Sequence, residues 1–375
     1  MKFNVSSKAL YNATSAVSKV INSRNALAIL DNFLITLRGD ELTITGSDQE
    51  NALTARLTVE NARGEGSVCF GARRLVELLK EIPEQGVSVD INDDSLEMQL
   101  TYLSGHYSFV GTPADQYPQF TPETSGEPVS FSVATEQMIA GLDNTMFAVS
   151  TDEYRIIMQG VLLDIAPDSI TFVATDTRKL VRYIDRRTAP GVTGHCVIPS
   201  KPANIIKNVF AKEETLNITM NSRSARIESD RFCFECTFLN GNYPDYNRVI
   251  PRNNPNVLTV DRTALLNAVR RVGIFVEVDG GLEKFRITSE NILIKSNDPG
   301  LCTSAREQVP CSYTGSDLTI GFNASYITEI LNTLKGDDVI VNLGDAGRPG
   351  VFRPGTEPEN TELLMLLMPM TVGEF

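Results

Sequence analysis

The sequence predicts an α+β fold made of three tandem copies of one domain, each given as two strand-helix-strands units. Three observations carry this expectation. A small polar residue and an aspartate follow a strand-like run at Ile44-Thr45-Gly46-Ser47-Asp48, Phe172-Val173-Ala174-Thr175-Asp176 and Ile294-Lys295-Ser296-Asn297-Asp298, at steps of 128 and 122 residues. Helix entries recur in the same phase at Ala72, Ser200 and Asn323, and opening strands recur at Phe3, Phe131 and Leu258. A period this long exceeds any solenoid unit and has the size of a domain. At 375 residues the chain is also longer than one hydrophobic core comfortably fills.

Each copy opens with a short strand and then a helical stretch, over 7–21, 135–149 and 262–275. Leu10, Val17, Val20 and Ile21 mark one apolar face at helical spacing. Strand pairs follow, split by turn signals such as Arg38-Gly39-Asp40 and Asn92-Asp93-Asp94. A second helix comes midway, over 72–82, 201–211 and 323–334, and further strands close each copy. Pro and polar residues at Glu127-Pro128 and Asn253-Asn254-Pro255 put the boundaries at 1–127, 128–254 and 255–375. Segment 344–362, with Pro349, Gly350, Pro354, Gly355 and Pro358, reads as a long exposed loop, with at most a short strand at Val351-Phe352.

The chemistry of catalysis is missing. There is no phosphate loop, nucleophile elbow or H-E-x-x-H. His106 and His195 are the only histidines, each beside a glycine in an expected loop. The three repeat aspartates occupy equivalent places in separate domains and so do not converge on one substrate; a turn or strand-end role fits them better. Cys233 and Cys236 form a C-x-x-C within a strand, where residues three apart point to opposite faces, and no second Cys/His pair completes a zinc site. No metal and no cofactor is expected. The six scattered cysteines read as reduced thiols, and with no apolar span or signal core the protein is expected in the cytoplasm.

The formal charge of −13 argues, taken alone, against a nucleic-acid coat. Yet the helical stretches with their flanks sum to a net positive charge, so the rest of the chain is more acidic than the total. Helices gathered on one side of the sheets would attract phosphate there while the other side repels it. No recognition helix or aromatic-interleaved basic run supports base readout, so any such binding is independent of base sequence.

Several segments carry a resemblance to a known family: Met1-Lys2-Phe3, Arg24 with Leu27-Ala28-Ile29-Leu30-Asp31-Asn32, and Ala174-Thr175-Asp176 with Leu180. Others are Tyr243-Pro244-Asp245-Tyr246-Asn247-Arg248-Val249-Ile250-Pro251, Gly321-Phe322-Asn323-Ala324-Ser325-Tyr326 and Met368-Pro369-Met370. Over its whole length the chain resembles the bacterial sliding clamps, the β subunits of DNA polymerase III. The resemblance implies three clamp domains with helices on an inner face and antiparallel sheets outside, in a ring-shaped head-to-tail homodimer around double-stranded DNA. It implies a processivity factor without catalysis, whose partners are the clamp loader, the replicative polymerase catalytic subunit and other clamp-motif replication and repair proteins.

Family site residues carry over by position. A partner-peptide cleft would use Met158, Thr175, Leu180, Pro244, Arg248, Val249, Tyr326, Leu366, Met368, Pro369 and Met370. Methionines suit a site that must accept several partners, because their flexible chains repack cheaply. Tyr107, Ile274 and Phe275, also carried over, would anchor the dimer, while the candidates for DNA contact come from the basic helix faces: Arg24, Arg73, Lys201, Lys207, Arg270 and Arg271. The chain departs from the family where Thr177-Arg178-Lys179-Leu180 replaces a frequent Gly-His-Arg-Leu, and where Ser304-Ala305-Arg306 replaces an acidic run. It also runs on past Met370; a frayed terminus is the simpler reading of that tail, and a tail whose Val372 and Phe375 fold back to compete weakly for the cleft is the alternative.

Overall fold

The computed structural model describes residues 1–121, 126–277 and 281–373. It holds six α-helices: α1 (Ser7–Val17), α2 (Ala72–Glu81), α3 (Thr135–Thr145), α4 (Ser200–Val209), α5 (Arg262–Val272) and α6 (Ala324–Thr333). They begin where the repeat puts them and end earlier than expected in the opening pairs: residues 18–21 form turns, and Met146–Ala148 and Gly273–Phe275 tighten into 3-10 turns. Side chains fix the starts. Ser6 Oγ accepts the Ala9 N–H (3.4 Å), Asp261 accepts that of Ala264 (2.6 Å), and Asn323 accepts those of Ser325 and Tyr326 (3.0 and 3.2 Å).

The chain divides into two compact units, Met1–Glu136 with Lys201–Phe238, and Gln137–Ser200 with Leu239–Phe375. In the first, a five-stranded antiparallel sheet runs in the order Glu60–Arg63, Lys2–Ser6, Gly86–Ile91, Glu97–Tyr102, Gly105–Val110. A nine-stranded sheet runs Thr112–Pro113, Gly66–Gly71, Asn32–Arg38, Glu41–Ser47, Asn51–Thr58, Phe232–Thr237, Ser224–Glu228, Thr215–Met220, Val129–Ala134. In the second unit a nine-stranded sheet runs Gly194–Pro199, Gly160–Ala166, Ser169–Thr175, Lys179–Asp185, Thr361–Leu367, Gly350–Pro354, Asp338–Leu343, Asn256–Asp261, Ser312–Tyr313. Its four-stranded sheet runs Thr303–Pro310, Asn291–Asp298, Leu282–Ile287, Leu318–Asn323.

Each nine-stranded sheet crosses a boundary between copies. Asn51–Thr58 pairs with Phe232–Thr237, and Lys179–Asp185 pairs with Thr361–Leu367, both antiparallel. These two joints explain why the units do not follow the repeat: a copy is cut where a shared sheet ties each half of it to a neighbour.

The repeated aspartates are turn residues. Asp48 Oδ1 accepts the N–H groups of Glu50 (3.0 Å) and Asn51 (2.7 Å), and Ser47 Oγ donates to Asn51 O (2.9 Å). Asp176 repeats this, with Arg178 and Lys179 at 2.8 Å each and Thr175 Oγ1 donating to Lys179 O at 2.8 Å. The following residues, Gln49 (φ 80°) and Thr177 (φ 76°), take the left-handed conformation that the side-chain bonds support. Asp298 holds a longer version of the turn, accepting from Leu301 N–H at 3.0 Å.

Two expectations need correction. Segment 344–362 is not exposed throughout: the short strand expected at Val351-Phe352 is present as Gly350–Pro354 inside the second nine-stranded sheet, with Val351 and Phe352 buried. Pro354 fits because it closes the strand. His106 and His195 lie in strands, Gly105–Val110 and Gly194–Pro199, rather than loops; both are exposed, and His106 Nδ1 meets Thr101 Oγ1 at 3.1 Å.

Candidate functional site

The second joint carries an apolar cluster at the place where the resemblance expects the partner-peptide cleft. Leu180 and Leu366 oppose each other in register across it and are buried with Leu162, Val173, Val197, Val351 and Leu364. Ile157, Leu239, Tyr243, Tyr246 and Ile250 pack over this cluster while staying partly open. Tyr246 donates to Asp164 Oδ2 at 3.2 Å, and burial together with that carboxylate raises its phenol above the usual range.

The first joint shows why one cleft is apolar and its counterpart is not. By the repeat, Leu180 corresponds to Ala52, Val173 to Thr45 and Leu366 to Glu235. Thr45 there shares a hydroxyl hydrogen bond with Thr54 at 2.8 Å. Leu30, Cys69 and Tyr117, with Ile29 and Leu34, still form a small cluster at that joint, but its floor is polar.

The remaining expected cleft residues divide by role. Pro244, Arg248 and Val249 are exposed on the rim, Arg248 pairing with Asp245 at 2.9 Å. Met158 closes the 3-10 turn Ile156–Met158 and is half-buried. Thr175 is buried, and its hydroxyl is committed to the Asp176 turn. The Met368 N–H donates to Arg178 O (2.8 Å) and the Met370 N–H to Gly321 O (2.8 Å), so the terminal segment lies along the cleft with Met368 40% exposed. Gly321 is required there, since a Cβ would come within 2.9 Å of the Met370 carbonyl oxygen. Val372 packs 3.0 Å from the same point; Phe375 lies outside the described residues.

Sequence reasoning missed most of the residues that pack in this cluster, such as Leu162, Val173, Tyr243 and Tyr246, and two omissions are instructive. Ile157 packs on the cleft cluster as Ile29, 128 residues earlier, packs on the first one, so the repeat itself was the available signal. Lys179 is the other. It is buried, with Nζ 2.6 Å from Glu329 Oε2, 3.2 Å from Asp176 Oδ2 and 4.3 Å from the centroid of the Tyr326 ring. It thereby ties the Asp176 turn to α6 at the edge of the cleft.

Of the basic residues expected at DNA, Arg24 and Arg73 are exposed, Arg73 pairing with Glu77 one turn on. Lys201 is drawn inward: it pairs with the buried Asp48 carboxylate and donates to Val20 O and Asn22 Oδ1 at 2.6 Å each. Lys207 is half-buried on α4. On α5, Arg270 donates to Asn332 (2.7 Å) and Arg271 makes a two-pronged pair with Glu307 (Nε to Oε2 3.0 Å), which raises the guanidinium.

Among the residues expected to anchor a dimer, Tyr107 stacks on Tyr102 (centroids 6.0 Å, planes 20° apart). It lines a groove of about 1430 Å³ with Arg73, Arg74, Val76, Leu78 and Phe109. Ile274 is 76% exposed and Phe275 36%, on the turn after α5. Among the described residues no cluster of His, Cys, Asp and Glu could hold a metal ion, and no helix is long and apolar enough to cross a membrane.

The described residues define a protein of repeated α+β domains whose antiparallel sheets are shared between neighbouring copies, with an apolar cluster at the second joint. Comparison with known proteins gives its family. The models of the DNA polymerase III beta subunit match in order along the chain: N-terminal domain at residues 1–121, central domain at 132–245 and C-terminal domain at 247–371. The beta sliding clamp of Pseudomonas aeruginosa is 27% identical over 99% of this chain and all of its own, and that of Vibrio cholerae 28% over 92% and 94%. The solved sliding clamp of Bartonella birtlesii, bound to griselimycin, superposes with a TM-score of 0.91 at 26% identity over 99% of this chain and 100% of its own. The chain belongs to the DNA polymerase III beta subunit family, the sliding clamps, which are accessory processivity factors without catalysis of their own.

Proposed function

We propose that this chain is the protomer of a cytoplasmic ring, a head-to-tail homodimer that encircles duplex DNA and tethers the replicative polymerase to it. The observation that carries this reading is the pair of free sheet edges. Gly105–Val110 ends the five-stranded sheet and Thr303–Pro310 ends the four-stranded one. By the repeat, Gly105–Val110 corresponds to Phe232–Thr237 and Thr361–Leu367, while Thr303–Pro310 corresponds to Asn51–Thr58 and Lys179–Asp185. Those are the strands that pair at both internal joints. A third joint between two chains would unite five and four strands, as in the sheets already closed. Long free edges are a liability unless a partner covers them.

The groove beside Tyr107 is apolar where Val76, Leu78 and Phe109 line it, and Ile274 with Phe275 supply exposed apolar side chains for it. Such central anchors dominate interface energetics. Arg24, Arg73, Lys207 and Arg270, and in smaller part Lys201 and Arg271, then supply screened phosphate contacts. A closed ring needs little contact energy to stay on DNA. The cleft at the second joint takes short apolar peptide segments of the polymerase, the clamp loader and other replication and repair proteins.

The test is mass in solution. The parent should sediment as a dimer at micromolar concentration, and Ile274→Ala/Phe275→Ala as a folded monomer. A dimeric double variant would remove this interface.

A further inference from the structure

We infer that Glu283 ties the dimer to pH: its neutral carboxyl seats the turn that carries Ile274 and Phe275, and its ionisation releases that turn and weakens the dimer. This rests on the head-to-tail reading above and concerns the regulation of that same interface.

Glu283 lies on the core face of Leu282–Ile287, in line with Phe285 and Ile287 and opposite Phe322, and it is fully buried. Alternation along the strand puts 283, 285 and 287 on one face, so the carboxyl occupies a place built for an apolar side chain. Neither of its oxygens has a hydrogen-bond partner among the described residues. A charge there would have neither water nor a counter-ion, and burial accordingly pushes the carboxyl up to about 8.

The carboxyl faces the expected dimer anchor from below. A Cβ on Gly273 would come within 3.3 Å of Glu283 Oε1 and 3.6 Å of the Ala324 Cβ, so the turn Gly273–Phe275 lies directly against that oxygen and the start of α6. Gly273 also caps α5, whose C-terminal carbonyls form the negative end of the helix dipole and disfavour a carboxylate. Ser296 does not relieve it, since its Oγ donates to Val272 O at 2.7 Å. Ile274 and Phe275 follow at once, so the outer side of the turn is apolar anchor and its inner side covers the acid.

The charged groups nearby offer no compensation. On α5, Arg270 bonds Asn332 and Arg271 pairs with Glu307 of Thr303–Pro310, where Arg306 is exposed; on α6, Glu329 pairs with Lys179. On Asn291–Asp298, Asp298 shares the buried face and is itself acidic, while Lys295 pairs across strands with Lys284 on the opposite face, as does Arg286 with Leu293. Glu277 is exposed and Asp279 lies outside the described residues.

Ionisation needs water at the carboxyl, and the element lying against its oxygen is the turn. Lifting that turn displaces Ile274 and Phe275 from the groove beside the partner's Tyr107. Proton and partner therefore favour the same seated turn, so dimer affinity is highest while Glu283 stays neutral and falls as pH rises through about 8.

Sedimentation velocity over a concentration series at pH 7 and pH 9, on the parent, Glu283→Gln and Glu283→Met, tests this. A ring has two interfaces and so two such acids; each contributes up to about tenfold over that range, and the parent's dimer dissociation constant should rise by about tenfold to a hundredfold. Both variants should lose that rise, and the apolar Glu283→Met serves where a buried amide fails to fold. A parent whose dissociation constant holds steady from pH 7 to pH 9 would overturn the inference, as would a folded variant that keeps the parent's pH dependence. A parent that is monomeric at micromolar concentration at pH 7 would instead sink the ring reading itself.

Discussion

Lys179 lies against Tyr326 with Nζ 4.3 Å from the ring centroid, while the same ammonium pairs with Glu329 and Asp176. All its strong donors point to groups of its own chain, so it shapes the cleft edge rather than reaching into the cleft. Lys179→Met should lose the cation–π contact, worth about 1 kcal/mol, and weaken a clamp-binding peptide by about fivefold. Fluorescence anisotropy checks this, with sedimentation expected to be unchanged. Equal peptide affinity would leave Lys179 a purely structural group.

The twin turns at Asp48 and Asp176 separate structure from function. Asp48→Ala removes two backbone hydrogen bonds and leaves Lys201 without its carboxylate, a cost of about 2–3 kcal/mol, with peptide affinity unchanged. Asp176→Ala should cost similar stability and also weaken the peptide, because its turn carries Arg178, whose carbonyl holds Met368. Thermal melting paired with peptide titration reads both, and identical peptide affinities in the two variants would contradict the assignment.

Glu283 is fully buried on the core face of Leu282–Ile287, and neither carboxylate oxygen has a hydrogen-bond partner among the described residues. Burial pushes it up to about 8. Unfolded, such a group ionises near pH 4, so the folded state keeps a proton the unfolded state has lost. Stability is therefore unpenalised below about pH 4, falls as pH rises toward about 8, and levels off above. Glu283→Gln should gain stability relative to the parent across that window, read by melting from pH 4.5 to 9. Parallel profiles would show that Glu283 is not protonated in the fold.

Glu228 works in the opposite sense. The hydrogen bond from Arg226 foremost, with Arg56 across the first joint, lowers it to about 2. Its contribution is present above the ordinary carboxylate range and fades as pH falls toward 2. Glu228→Gln should therefore narrow the difference between melting at pH 6 and at pH 3.

The repeat made much of this legible in the sequence, because the aspartate turns, helix entries and opening strands keep one phase and the phase itself predicts which strands correspond. What escaped was set by tertiary context. The short strand at Val351-Phe352 was legible but its burial was not: Gly350–Pro354 is covered because it sits between two paired neighbours in the sheet. Lys179 gave no local sign of burial, since lysine is usually exposed and the carboxylate that holds it, Glu329, lies 150 residues away. Lys201 read as a surface cation for the same reason, its partner Asp48 being distant in sequence. The rim residues Pro244, Arg248 and Val249 came from resemblance alone, as a loop carries no periodicity to read.

The DNA contacts can be ranked by salt dependence. Each lost phosphate contact should shallow the log-log slope by about one. Arg24→Ala with Arg73→Ala should lower it by about two, and Lys201→Ala by less, because its ammonium is held by Asp48. Equal slopes for the double variant and the parent would take those arginines out of the DNA path.

The central claim is topological linkage to DNA, and retention on circular DNA tests it most directly. After loading on nicked circular duplex by a clamp loader, the protein should co-elute with the circle through gel filtration in high salt and come off when the circle is cut once. Equal retention on circular and linearised DNA, or none on either after verified loading conditions, would contradict a ring that holds by encirclement.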